Sequence, residues 1–208
     1  SKLYSVGEPG TDAPVLVTYG QSEYPVITLS TPGVETRLLA ETVGRVAPHV
    51  ELKIIDMETG ATLPLGAKGE ICARGPLMML GYYRAPEATA KTITADGFLH
   101  TGDLGTLDEQ GYVRMLGRVR DVIIRGGENI YPAEVEDALL LHPAVAAVAV
   151  VGVPDEKWGQ QVGAAVRLRD GCAIPPAELE THLASRLAHF KQPRSWLFVD
   201  SFPMTPNG

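Results

Sequence analysis

Residues 117–130 read Gly117-Arg118-Val119-Arg120-Asp121-Val122-Ile123-Ile124-Arg125-Gly126-Gly127-Glu128-Asn129-Ile130. Three arginines and one aspartate surround a short apolar run, and a Gly-Gly pair follows it. The charged part is compatible with a solvated linker, and the glycine pair with a plain hairpin. The same residues could instead meet phosphate or ribose through arginine and let a ligand approach the backbone closely at glycine. The texture of the chain changes here. After it, Ala133 to His142 has the pattern of a helix, with Pro132 at its first position and Val135 and Leu139 four apart. Val145 to Val151 and Val162 to Leu168 are continuous apolar runs and read as buried strands. Pro176 to Ala188 is a second predicted helix with Leu179, Leu183 and Leu187 on one stripe. Trp196 to Val199 is a last strand. A domain boundary is therefore predicted near residues 117–121, separating 1–119 from a compact α/β unit at 120–208.

Before the boundary the punctuation is different. Residues 1–34 are rich in Gly, Pro, Ser and Thr around short apolar runs, Val15-Leu16-Val17 and Val26-Ile27, and read as strands and loops. Residues 50–56 alternate like a half-buried strand, and Met57-Glu58-Thr59-Gly60 supplies a turn. Gly69 to Arg74 and Tyr112 to Leu116 are further strands. Together these predict a small antiparallel sheet or partial β-barrel, and for the whole chain an α/β (α+β) class.

Two stretches in this half carry candidate chemistry. Tyr19-Gly20-Gln21-Ser22-Glu23 follows an apolar run and offers a ring, a flexible glycine, a hydroxyl and a carboxylate. Such a set can hold a nucleotide and its magnesium ion, or be an ordinary turn. His100-Thr101-Gly102-Asp103 places an acid after what reads as a tight glycine turn. That acid can accept both hydroxyls of a ribose, or simply close a turn or cap a helix.

Composition excludes several classes of function. The 208 residues carry a formal net charge of -7, with 45% hydrophobic and 21% charged residues. An acidic chain poor in aromatics is a poor nucleic-acid binder, since phosphates need Lys and Arg and bases need stacking faces. Cys72 and Cys172 are far apart in sequence, which argues for a reducing, cytoplasmic setting rather than a disulfide scaffold. The histidines show no ligand spacing, so no zinc-type cluster is expected. No apolar run reaches the ~20 residues of a transmembrane helix.

Taken together, five stretches in order resemble the adenylate-forming superfamily of acyl- and aryl-CoA synthetases, peptide-synthetase adenylation domains and luciferases. They are Tyr19 to Glu23; Gly69-Glu70-Ile71 with Gly75, Gly81, Tyr82 and Pro86; Thr101-Gly102-Asp103; Gly117 to Ile130 continuing through Pro132-Ala133-Glu134-Val135-Glu136; and Pro203-Met204-Thr205-Pro206-Asn207-Gly208. The resemblance implies ATP, Mg2+ and CoA as cofactors and co-substrates and a small carboxylic acid as substrate. It implies that Tyr19 lies beside adenine, with Gly20 in the same motif. It further implies that Ser22, where Thr is commoner, contacts phosphate, and that Glu23 binds magnesium. Asp103 and Arg118 would hold the ribose. Arg120, where many relatives carry Asp or Lys, would be the hinge of a mobile small domain. Gly126 and Gly127 would line the pantetheine tunnel. Trp158 and Phe190 resemble aromatics flanking the CoA adenine, or are ordinary core or surface residues.

The resemblance also implies what is missing. The family's Pro-x-Thr-x-x-Gly-Lys pattern stops at Gly208, before the lysine that bridges acyl carboxylate and α-phosphate. The Gly-, Ser- and Thr-rich phosphate loop lies upstream in relatives, and Gly7 to Val15 is shorter than the usual connection. There is no initiator Met. The expectation is therefore a portion of a longer polypeptide, whose partners include its own N-terminal part and that lysine, and which alone does not adenylate. A homodimer is left open. Gly126 to Pro132 favours fatty-acyl or aryl-CoA ligases. The alternatives are an adenylation domain loading a carrier-protein thiol, and a noncatalytic partial homologue.

Overall fold

The computed structural model describes residues 3–4 and 16–203. The predictions made on Gly7 to Val15 and on Met204 to Gly208 lie outside the described residues. The chain divides into two compact units, Ser1–Val119 and Arg120–Gly208.

Among the described residues the first unit holds two four-stranded antiparallel sheets. One contains β1 (Leu3–Tyr4), β2 (Val17–Gln21) and β3 (Tyr24–Leu29), followed by helix α1 (Thr36–Glu41) and β4 (Arg45–Val46). The other contains β5 (Glu51–Ile55) and β6 (Gly69–Arg74), then helix α2 (Pro86–Thr92), β7 (Leu99–Leu107) and β8 (Val113–Arg118). The sheets run in the open orders β1-β2-β3-β4 and β5-β6-β7-β8, so neither closes into the barrel that the sequence allowed. Backbone hydrogen bonds tie them together, Val43 N to Val113 O at 2.8 Å and Val113 N to Gly44 O at 3.0 Å. Their facing side chains, among them Tyr24, Ile27, Ile71, Leu99 and Val113, share one buried core.

Several local expectations are corrected here. Residues 100–103 do not form a turn: they lie inside the nine-residue β7. In β5 the alternation breaks, because Ile54 and Ile55 are both buried. Ile54 enters the main core while Ile55 packs in a separate small cluster with Cys72 and Phe98. Helices α1 and α2 had no predicted counterpart. Both are short and neither buries a residue, so they lack the apolar stripe by which a helix announces itself. Pro86 at the start of α2 and Glu87 in its first turn were the available signals.

A single turn of 3-10 helix (Val119–Asp121) spans the boundary and leads into β9 (Ile123–Arg125) and β10 (Glu128–Ile130) of the second unit. Then come α3 (Pro132–Leu140), β11 (Val145–Asp155), β12 (Gly159–Leu168), α4 (Pro176–Ala184) and β13 (Ser195–Phe198). The sheet order is β10-β9-β12-β11, with β13 joining β12 in parallel. Both helices start with proline in the first turn, where its missing N–H costs nothing. Val135, Leu139, Leu179 and Leu183 from the helices and Val145, Val162 and Val166 from the sheet are buried together. Each such side chain contributes about 1.5–3 kcal/mol by leaving water. Two expectations change. Helix α4 ends at Ala184, so Leu187 packs from beyond the helix rather than along its stripe. Strand β11 is mostly half-buried, not the fully buried strand its apolar run implied.

Candidate functional site

Strand register builds the site in the first unit. Opposite Ile71, β7 carries extra residues: Glu70 pairs Leu104 and Cys72 pairs His100, so 101–103 bulge between them. Gly102 takes φ +68° in that bulge, a conformation glycine adopts freely. The bulge is held on both sides. Thr101 Oγ1 donates to Ile71 O at 2.7 Å, and Asp103 N donates to Thr101 Oγ1 at 3.1 Å. Gly102 N donates to Glu70 Oε1 at 3.0 Å, so a side chain takes the place of the ladder carbonyl that the bulge removes.

Asp103, 6% exposed, pairs across the ladder with Arg118. The Tyr19 hydroxyl donates to its Oδ2 at 2.8 Å, and Arg118 Nε lies 3.4 Å from its Oδ1. A buried carboxylate needs such partners, and here both oxygens have one. Burial, together with the Asp103 charge, pushes the Tyr19 hydroxyl well above its ordinary pKa, so it remains a donor. The β2–β3 hairpin brings the first motif to the same place. Gly20 sits at its bulge, where a Cβ would lie 2.1 Å from Pro25 O. Ser22 and Glu23 form the turn, and the Tyr82 hydroxyl donates to Glu23 Oε1 at 2.7 Å.

A cleft of about 560 Å³ runs along these groups, with Ser22, Glu23, Glu70, Lys91, Asp103 and Arg118 in its wall. A second recess of about 250 Å³ also borders Asp103, lined by Thr18, Tyr19, Val43 and Met115 as well as Asp103 and Arg118. Tyr19, Gly20, Ser22, Glu23, Asp103 and Arg118, from three separate motifs, therefore meet in one region. Glu23 supplies a hard carboxylate oxygen of the type Mg2+ takes, one or two per site beside phosphates and water. The chemistry of this donor set fits that ion.

Sequence reasoning assigned no role to Glu70, Tyr82, Lys91 or His100, which also line the cleft. Glu70 and Tyr82 stood in one of the five family-like stretches. His100 opens the stretch quoted for Asp103, but a lone histidine there implied no role, and Lys91 lies in the last turn of a helix without an apolar stripe. Replacing Glu70 by Ala is expected to destabilise the folded chain by roughly 1–3 kcal/mol, the cost of leaving the Gly102 N–H without its acceptor. Glu70→Gln, which keeps an oxygen there, should retain most of the stability. Denaturant unfolding of both variants measures this, and unchanged stability of the Ala variant refutes the bracing role.

The remaining candidate residues lie in the second unit. Arg120 is exposed within the 3-10 turn, its Nε 3.6 Å from Asp121 Oδ1. Gly126 and Gly127 form a two-residue hairpin turn between Arg125 and Glu128, with φ of +59° and +88°. Trp158 is 39% exposed and lies against Gly126, whose N–H donates to Trp158 O at 2.9 Å. The Arg125 guanidinium sits 4.6 Å from its ring. Phe190 packs partly buried against the core.

Family models for AMP-binding enzymes match this chain twice. One, the AMP-binding enzyme model, matches residues 3–83; the other, the AMP-binding enzyme C-terminal domain, matches residues 134–208. The chain belongs to the adenylate-forming, AMP-binding enzyme superfamily. It is 46% identical over 195 residues to the putative acyl-CoA synthetase YngI of Bacillus subtilis, covering 93% of this chain and 36% of that protein. It thus spans little more than a third of the relative's length. Among solved structures, ATP-bound MatB from Rhodopseudomonas palustris superposes with a TM-score of 0.87 at 41% identity, over 93% of this chain and 38% of that one. The amide bond synthetase McbA from Marinactinospora thermotolerans superposes with a TM-score of 0.84 at 43% identity, over 93% and 40%. The mixed α/β class expected from the sequence agrees with these neighbours. Among the described residues no helix is long and apolar enough to cross a membrane.

Proposed function

We propose that this chain supplies the ribose and magnesium contacts and the mobile small domain of an AMP-forming ligase that joins a carboxylic acid to CoA. The observation that carries the reading is the buried Asp103 carboxylate, held by Tyr19 and Arg118 between a polar cleft and a more apolar recess. Residues 1–119 then belong to the large adenylation domain, and residues 120–208 form the small domain that turns about Arg120. Adenine enters the recess beside Tyr19. The ribose hydroxyls bind Asp103, with Arg118 alongside. The phosphates run along Gly20 to Glu23, where Ser22 offers a hydroxyl. Glu23 would hold Mg2+, which when bound would offset the charge that develops on the phosphates.

The reaction proceeds in two transfers. A carboxylate oxygen of the acid attacks the α-phosphorus of ATP, the bond to the β-phosphate oxygen breaks, and pyrophosphate leaves. The CoA thiol, losing its proton, then attacks the acyl carbon and AMP departs with the bonding pair. The Gly126-Gly127 hairpin and Trp158 serve this second step, with Phe190 in the same unit. The identity to an acyl-CoA synthetase supports CoA as acceptor, whereas the likeness to an amide bond synthetase names the competing acceptor class, an amine.

A panel of carboxylic acids incubated with ATP, Mg2+ and the intact protein separates these. AMP release that requires an acid and rises with CoA supports the ligase. Release that rises with an amine or a carrier protein instead, and not with CoA, overturns the acceptor, and release with no acid present overturns the whole reading.

A further inference from the structure

Three side chains that the proposed nucleotide contacts do not use converge beside them, two of them in the wall of the same cleft. Cys72 on β6 and His100 on β7 are direct cross-strand partners, and Glu70 lies two residues before Cys72. His100 Nδ1 stands 3.0 Å from Glu70 Oε2 and 3.7 Å from Cys72 Sγ. All three ligand-type atoms lie within 4.8 Å of one another. One imidazole nitrogen can serve only one of these partners at a time, as donor or as acceptor. If it donates to the carboxylate, the thiol is left with no hydrogen-bond partner among the described residues. A cation at the point of convergence satisfies all three at once.

We propose that Glu70, Cys72 and His100 form a three-ligand site for a borderline divalent cation such as Zn2+. The spacing supports it. Bonds of about 2.0–2.3 Å in a tetrahedron set ligand atoms roughly 3.3–3.6 Å apart, and the two measured edges flank that range. The charge supports it too. A thiolate, a carboxylate and a neutral imidazole neutralise a 2+ ion, so its burial leaves no uncompensated charge. The ligands stand on two hydrogen-bonded strands, and Cys72 is fully buried with Ile55 and Phe98 beside it. Glu70 and His100, but not Cys72, line the cleft. The fourth position therefore faces the cleft, open to water or an anionic group, as in zinc sites that keep one exchangeable ligand.

This site is separate from the magnesium contact at Glu23 and does not depend on the proposed activity. Binding displaces one proton from the thiol to solvent. Burial, aided by Glu70 and Asp96 and opposed by Lys53, pushes that thiol up to about 12 in the metal-free protein.

Titration of Co2+, a spectroscopic substitute for Zn2+, into the intact protein without ATP or Mg2+ tests the proposal. The expected result is saturation at one equivalent, with visible bands of tetrahedral cobalt and a near-ultraviolet thiolate-to-cobalt band, all removed by Zn2+. Cys72→Ser should abolish the thiolate band. His100→Ala should weaken binding by at least the roughly 10–100-fold that losing even an outer-shell partner costs. Cys172→Ser, at the exposed second cysteine, should change nothing. A band that survives Cys72→Ser and disappears in Cys172→Ser overturns the site. Zinc-edge X-ray absorption on the unmutated, zinc-loaded protein does not depend on how any variant folds. One sulfur neighbour at about 2.3 Å supports the proposal, and a shell of only oxygen and nitrogen refutes it.

Discussion

Asp103→Ala in the intact protein is expected to lower kcat/KM for ATP by roughly 10²- to 10⁴-fold, read as acid-dependent ATP–pyrophosphate exchange. The magnitude follows from two hydrogen bonds to an ionised carboxylate, each about 1.5–3 kcal/mol. The geometry explains why no neighbour compensates. Asp103 is 6% exposed and held at both oxygens, so its position is set before any ligand arrives. Preorganisation of that kind is lost entirely with the side chain. Tyr19→Phe removes one of the two braces and leaves the carboxylate. It should cost about tenfold, the worth of one hydrogen bond. A melting temperature for each variant separates lost folding from lost binding. Near-normal exchange by a folded Asp103→Ala protein rules out the ribose assignment.

Gly126→Val should slow thioester formation by about 10²-fold while adenylation changes far less. Gly126 occupies φ +59°, where a β-branched residue incurs about 1–2 kcal/mol of strain. A Cβ there would also meet the Trp158 ring at 2.6 Å. In the unmutated chain the indole lies under Arg125, and the Trp158 backbone N–H donates to Asp155 Oδ1 at 2.8 Å. The ring is partly exposed, so the added side chain displaces it toward solvent while the hairpin survives. A small shift of a group that positions a substrate is enough to cost about a hundredfold in rate. Gly127→Ala is the control, since a Cβ at Gly127 meets nothing within 4 Å and only strain is added. Tryptophan emission should change in Gly126→Val and not in Gly127→Ala. The kinetic split comes from comparing pyrophosphate exchange with CoA-dependent AMP release. Equal losses in both half-reactions sink the assignment of this hairpin to the thiol step.

The elements that were legible in the sequence share a property: their signal is local. Pro132 and Pro176 mark helix starts because a proline's fixed φ and missing N–H suit only the first turn. Gly126-Gly127 offered a two-residue hairpin as one of two readings, and both positions do take positive φ. What was illegible depends on neighbours in space. His100 to Asp103 looks like a turn because glycine precedes an acid, yet β6 and β8 on either side draw it into a bulged strand. The long apolar run of β11 looks buried because composition cannot report that one face of an edge strand meets solvent.

The sequence by itself determined the superfamily, the α/β class and the order of the motifs, because these rest on residue identity and short spacing. Tertiary structure alone decided which side chains meet. The Tyr19–Asp103 hydrogen bond joins residues 84 apart. The convergence of Glu70, Cys72 and His100 depends on a register in which Cys72 opposes His100. Register is set by how whole strands bury their faces, and a shift of one residue would turn each of these side chains to the other side of the sheet. Asp103 thus had its chemistry in the sequence, and its burial, its two partners and its place between two recesses only in the fold.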